Sequence, residues 1–172
     1  MEYHFLSRAE FDRRVAAGEF LEWAVYGGQL YGTLRAEVEK GLKLGRHVVL
    51  DIEVMGARQV RERVPDSVHV FVLPPSTAEL VQRLRGRRTE DAAAVDGRLI
   101  LAAEELGVAA EYDYVVVNDE LMQAVAQVGA ILDAESTRVS RLTNLSNVVS
   151  QLRQDLAGHR ERLRQELGGR KE

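Results

Sequence analysis

Glu22, Tyr31 and Thr33 fall within one glycine-punctuated run, GEFLEWAVYGGQLYGT at residues 18–33. A carboxylate accepts hydrogen bonds and a hydroxyl can donate one, the two functions needed to read a purine by its edge. Guanine carries donors at N1 and N2 and an acceptor at O6, so Glu22 suits the first two and Thr33 the third. Adenine would leave both protein groups unpaired, and a buried polar group stripped of its partner costs about 1–3 kcal/mol. Tyr31, with Tyr3 upstream, has a phenolic proton suited to a phosphate oxygen. A hairpin turning at Gly27-Gly28 would bring these groups to one side. On spacing alone, a plain β-hairpin with Trp23 and Tyr31 packed into a core accounts for the same residues better.

Two other groupings have chemistry to offer. Arg85, Arg87 and Arg88 crowd around Gly86; planar guanidinium forks of fixed charge suit phosphoryl oxygens. The alternative is a surface helix end, where arginine favours the negative pole of the helix dipole. Asp51 and Glu53 stand two apart in HVVLDIEV, residues 47–54, so on a strand they would share a face.

These groups need a scaffold, and 172 residues provide one domain of ordinary size with an appendage. Hydrophobic residues make up 45% and charged ones 29%, without an apolar run near the roughly 20 residues of a membrane span. The expectation is a soluble, cytoplasmic protein. The absence of cysteine excludes disulfides, thiolate metal sites and a thiol nucleophile, and the four histidines form no HxxxH pair. The net charge of −4 divides unevenly: residues 136–172 carry eight Lys and Arg against four Asp and Glu, leaving the remainder strongly acidic. A solvated helix face explains such a tail better than a nucleic-acid partner does.

Ser7 and Glu10 have capping-box spacing and predict a helix over about 8–17. The hairpin comes after it, then a helix over 33–43 that Gly45 ends. HVVLDIEV reads as a buried strand. Further helices are predicted over 55–64, from a second capping box at Ser76–Glu79 to about 85, and in the region 95–110. Strands are predicted over 68–73 and 113–118. Apolar strands alternating with amphipathic helices argue for a parallel sheet covered on both faces. From Asp119 the chain reads as helical to its end. Leu142, Leu145, Val149, Leu152, Leu156, His159, Leu163 and Leu167 follow a three-four spacing, which suits either an intermolecular coiled coil or one long helix docked on its own domain.

The segments YHFLSRAEF, GEFLEWAVYGGQLYGT, VVLDIEVMGARQV, LPPS, RLRGR and EYDYVVVND occur in the order, and at nearly the intervals, of guanylate kinases, and the resemblance runs from Glu2 to about Glu135. It implies an α/β fold of the P-loop-kinase type spanning 1–135, with a small GMP-binding β subdomain (1–45) and a lid (83–98). Residues 136–172 form a C-terminal helical extension. It implies that GMP and ATP are the substrates, that Mg²⁺ accompanies ATP, and that GDP and ADP are the products. Glu22, Thr33 and Asp51 would meet guanine; Tyr3 and Tyr31 the GMP phosphate. Arg83, Arg87 and Arg98 match the catalytic lid arginines, and Asn118 lies where the family holds adenine. The acidic pair usually reads Asp-x-Asp, serving guanine and the water shell of Mg²⁺. Here Glu53 replaces the second Asp in that metal role, and Met55 stands where Gln is usual. Membrane and nucleic acid are not implied as partners; a homo-oligomer through the C-terminal helix is a reading of the leucine spacing, which lies outside the resemblance.

The resemblance lacks one part. GxxxxGK[ST] between strand and helix cradles the donor phosphates in P-loop enzymes, and these 172 residues do not contain it. GLKLGRH at 41–47 has no lysine at the required place and precedes a strand. The family's first strand, P-loop and first helix are therefore expected to be missing, leaving the chain inactive as it stands. Three explanations compete: an internal start, with Met1 standing where the family often has Val; a module that has lost catalysis and binds GMP or a protein; and a fragment completed by another polypeptide. The first is favoured because the guanine, lid and adenine blocks all remain readable.

Overall fold

A computed structural model describes residues 4–26, 28–85 and 92–168. The chain forms two compact units, Met1–Val72 with Ser76–Val115, and Leu73–Pro75 with Val116–Glu172.

The first unit opens with α1 (Arg8–Ala16), where the Ser7 hydroxyl accepts from the Glu10 amide at 3.2 Å as an N-cap. The hairpin comes next: β1 (Phe20–Tyr26) pairs antiparallel with β2 (Gln29–Leu34). Gly28 sits in the turn at φ 76°, a left-handed conformation that costs a residue with a Cβ roughly 1–2 kcal/mol. Phe11 of α1 stacks on Phe20 of β1 with ring centroids 4.5 Å apart, and its edge meets Trp23 at 6.3 Å. Phe11, Phe20 and Leu21 are buried, so α1 and the hairpin share one core.

α2 (Arg35–Lys43) joins β2 directly and ends before Gly45. The stretch 46–53 then departs from expectation: it forms no strand. A β-branched apolar run becomes a strand only where a neighbour supplies ladder hydrogen bonds, and none of the described residues does so. Val49 is accordingly 62% exposed rather than buried as its composition predicts. α3 (Val54–Arg63) starts immediately afterwards and buries Gly56, Ala57 and Val60.

β3 (Val70–Leu73) and β4 (Tyr114–Val117) make a second two-stranded sheet. The His69 carbonyl accepts from the amides of Asp113 and Tyr114, and the Leu73 carbonyl from that of Asn118, an advancing register that makes the pair parallel. Between them lie α4 (Thr77–Arg85), capped by the Ser76 hydroxyl at 3.2 Å from the Glu79 amide, and α5 (Ala92–Gly107). Buried His69 bonds the Ser67 hydroxyl at 2.8 Å, and burial holds its pKa below the ordinary value. Asp113 accepts from the His69 backbone amide at 2.8 Å, so this trio ties a strand end together.

In the second unit, α6 (Leu121–Ser136) and α7 (Leu145–Gly168) are separate helices rather than the single run from Asp119 that the pattern predicts. The hydroxyls of Ser136 and Thr137 donate back to the carbonyls of Asp133 and Ala134, at 2.8 and 2.9 Å, and close α6. Buried Glu135 accepts from Arg138 and Arg141 just beyond it, at 3.2 and 3.1 Å. Residues 146–165 of α7 are exposed throughout.

Candidate functional site

The site grows from an irregularity in β1. The register shifts between Phe20 and Glu22, placing Leu21 as an extra residue opposite β2. In a regular strand consecutive side chains point to opposite faces; a bulge breaks that alternation and re-aims the side chains beyond it. Phe20, Leu21 and Glu22 are all buried in consequence, Glu22 to 4% exposure.

A carboxylate this buried must be supplied with partners. Thr33 lies opposite Glu22 in the hairpin, and both its hydroxyl and its backbone amide favour the charged form of that carboxylate. Burial raises the Glu22 pKa above the ordinary value; the Thr33 hydroxyl pulls it back, the charge of Glu53 raises it, and the Thr33 amide and Arg63 lower it. The two residues selected for purine reading are therefore cross-strand partners.

Glu53 joins them from the start of α3. It is the N-cap, its Oε2 accepting from the Gly56 amide at 2.8 Å. A Cβ on Gly56 would stand 2.8 Å from Glu22 Oε2 and 3.2 Å from Glu53 Oε1. Both carboxylates thus converge on a glycine that leaves them room. Asp51 is exposed in the stretch before α3 and takes part in none of these contacts.

The other expected site residues are dispersed. Tyr31 is 49% exposed on β2, whereas Trp23 packs against Phe11. Arg83, exposed on α4, pairs with Glu79 at 3.5 Å. Arg98 on α5 donates to the Leu84 carbonyl at 3.2 Å, tying α5 to the end of α4. Asn118 lies just past β4 and donates its amide to Leu73 at 2.8 Å. Tyr3 and Arg87 lie outside the described residues, as does the lid segment 86–91.

Sequence reasoning missed Gly56, Gln59 and Arg63. Gln59 donates from Nε2 to the Trp23 carbonyl at 2.7 Å and accepts the Trp23 amide on Oε1 at 3.3 Å. Arg63 Nη1 donates to the carbonyls of Phe20, at 3.2 Å, and Leu21. The available signal was the spacing: 56, 59, 60 and 63 share one helical face, so two long polar side chains lie on the stripe that packs inward.

Among the described residues no cluster of three His, Cys, Asp or Glu could hold a metal ion by itself, and no helix is long and apolar enough to cross a membrane.

A solved structure similar to this chain, the crystal structure of guanylate kinase from Anaplasma phagocytophilum, matches 87% of it and 73% of that chain with a TM-score of 0.72 at 31% identity. That likeness and the alternation of helices with parallel strands define an α/β fold of the P-loop-kinase class. The family model for guanylate kinase matches residues 1–135. Curated relatives named guanylate kinase include one from Symbiobacterium thermophilum, 52% identical over 141 residues, with 82% of this chain and 67% of the relative covered. Another, from Synechococcus sp., is 50% identical over 130 residues, covering 76% of this chain and 71% of that relative. The chain belongs to the guanylate kinase family, a family of phosphotransferases.

Proposed function

We propose that the chain binds GMP at the Glu22–Thr33 pair, a site that serves the reaction ATP + GMP to ADP + GDP in the guanylate kinase family. The observation that carries this reading is the buried Glu22 carboxylate, opposite Thr33 and beside Glu53. Guanine would offer N1–H and N2–H₂ to Glu22 and accept the Thr33 hydroxyl proton on O6. Glu53, expected from the sequence to serve Mg²⁺, has the better geometry for a second acceptor at the base edge, and Asp51 the worse.

Tyr31 would donate to the GMP phosphate together with Tyr3. Arg83, Arg87 and Arg98 would neutralise transferring oxygens, and Asn118 would stand by adenine. Mg²⁺ would arrive with ATP, since this ion keeps phosphate and water oxygens for most of its shell; Glu53 is the carboxylate assigned to it by resemblance. The reaction belongs to the cytoplasm. These 172 residues, without GxxxxGK[ST], are expected to bind GMP but not to turn over ATP.

Isothermal calorimetry of the chain tests the reading. GMP should give saturable heat in the micromolar to low millimolar range, and AMP none at the same concentrations. Equal heats for both nucleotides, or none for GMP at several millimolar, would remove the assignment.

Self-association through α7 belongs to the same proposal. Leu152, Leu156 and Leu163 are 57, 63 and 56% exposed along one heptad seam. In a parallel pair, Asp155 of one copy would meet Arg160 of the other across that seam. Equilibrium sedimentation should give a dimer mass at about 100 μM, lost in Leu152→Glu/Leu156→Glu; monomer at that concentration would end this part of the proposal.

A further inference from the structure

From the geometry of β1 and α3 we infer that Gln59 and Arg63 are positioning residues for base recognition: they clamp the backbone on both sides of Glu22 and so fix where its carboxylate lies. This rests on the reading of Glu22 as the purine acceptor.

β2 satisfies one edge of β1, and the other edge would be left with unpaired backbone groups. Gln59 occupies that edge as a neighbouring strand would, its amide exchanging two hydrogen bonds with the amide and carbonyl of Trp23. One turn further along α3, Arg63 Nη1 takes the carbonyls of Phe20 and Leu21 together. Two successive carbonyls can reach one nitrogen because the bulge turns both to the same side. The clamped residues are therefore 20, 21 and 23, and the unclamped one between them is Glu22.

The clamp and the carboxylate also share a foundation. Glu22 Oε2 rests against Gly56, three residues before Gln59 on the same buried face of α3. Helix and bulge are locked at Gly56, Gln59 and Arg63, leaving the carboxylate little freedom. If the clamp is lost, the bulge can regularise, which would rotate Glu22 toward the opposite face by the alternation rule.

Merely destabilising the hairpin would weaken every ligand alike, so the informative quantity is a ratio. IMP differs from GMP only by lacking the N2 amino group, a donor that a correctly placed carboxylate reads. Calorimetric affinities for GMP and IMP are to be measured on the full chain for wild type, Gln59→Leu, Arg63→Lys and Glu22→Gln, and for Gln59→Leu combined with Glu22→Gln. The wild-type chain should favour GMP by at least tenfold. Gln59→Leu should bring the ratio to within about threefold, and Arg63→Lys, which keeps the charge but loses the planar fork, to an intermediate value. In the Glu22→Gln background, Gln59→Leu should change the ratio no further. A ratio left at the wild-type value by both clamp substitutions, while Glu22→Gln abolishes it, would overturn the positioning role and leave the base-reading role standing. A ratio unmoved by Glu22→Gln would overturn the reading beneath it. Should Gln59→Leu fail to fold, the Arg63→Lys arm decides alone.

Discussion

Glu22→Gln is expected to lower GMP affinity at least about 100-fold, near 2.7 kcal/mol, while leaving the fold as stable as before or more so. The substitution keeps the side chain's size but puts an amide donor where two oxygens had accepted. Guanine then meets a donor with a donor, and its N1–H or N2–H₂ goes unpaired in a buried site. Stability moves the other way because the native carboxylate is held in an unfavourable setting, buried and facing Glu53. Its raised pKa means that the folded chain binds more protons than the unfolded one between the ordinary carboxylate value of 4.5 and the raised value. Stability therefore declines as pH rises through that window, and the decline should vanish in Glu22→Gln.

The same shift gives GMP binding a pH dependence of opposite sense. Only the ionised carboxylate accepts two hydrogen bonds, so affinity should be full above the raised pKa and fall as pH drops through it. The GMP phosphate also titrates, near pH 6, and would contribute equally in Glu22→Gln, so the difference between the two profiles isolates Glu22. Parallel profiles for wild type and Glu22→Gln from pH 4.5 to 7.5, or an affinity loss under threefold, would contradict the assignment.

The features legible in the sequence were local ones. The capping hydroxyls of Ser7 and Ser76 act over three residues, and the hairpin was legible from its glycines. Glu22 and Thr33 were legible as chemistry, because a carboxylate and a hydroxyl together suit few ligand edges. Periodicity misled wherever the deciding partner lay elsewhere. The composition of 47–54 reports a buried strand, but a strand is defined by its neighbour's hydrogen bonds, which composition does not encode. The break between α6 and α7 carries neither proline nor glycine; side-chain hydroxyls end α6 by competing for its last carbonyls. Gln59 was illegible for a related reason, since its partner Trp23 is 36 residues away.

The distant contacts are also those that decide specificity. Thr33 would present its hydroxyl in any regular hairpin, whereas Glu22 is buried beside it only because of the bulge. The bulge is held from a helix, and that helix has its own N-cap, Glu53, within the same cluster. Residues that look structural on α3 therefore set the acceptor geometry on β1.

Gly56→Ala puts that coupling to the test, and here two effects of known size compete. Alanine is better than glycine in a helix by about 1 kcal/mol, so propensity alone predicts a more stable chain. Against it, the new methyl would stand 2.8 Å from Glu22 Oε2 and 3.2 Å from Glu53 Oε1, inside any ordinary contact distance. A free carboxylate would swing aside at little cost, but Glu22 is buried opposite Thr33, and Glu53 is committed to the Gly56 amide at 2.8 Å. Overpacking of this kind costs about 1–3 kcal/mol, enough to cancel or exceed the propensity gain. The net stability change, read from urea unfolding, should thus be a loss of no more than about 2 kcal/mol. The effect on GMP should be larger in kind: the carboxylate that moves is the one that reads the base, so affinity should fall at least tenfold and preference for GMP over IMP with it. A variant more stable than wild type and unchanged in GMP affinity would mean that the two carboxylates have room to spare, and that Gly56 serves the helix rather than the site.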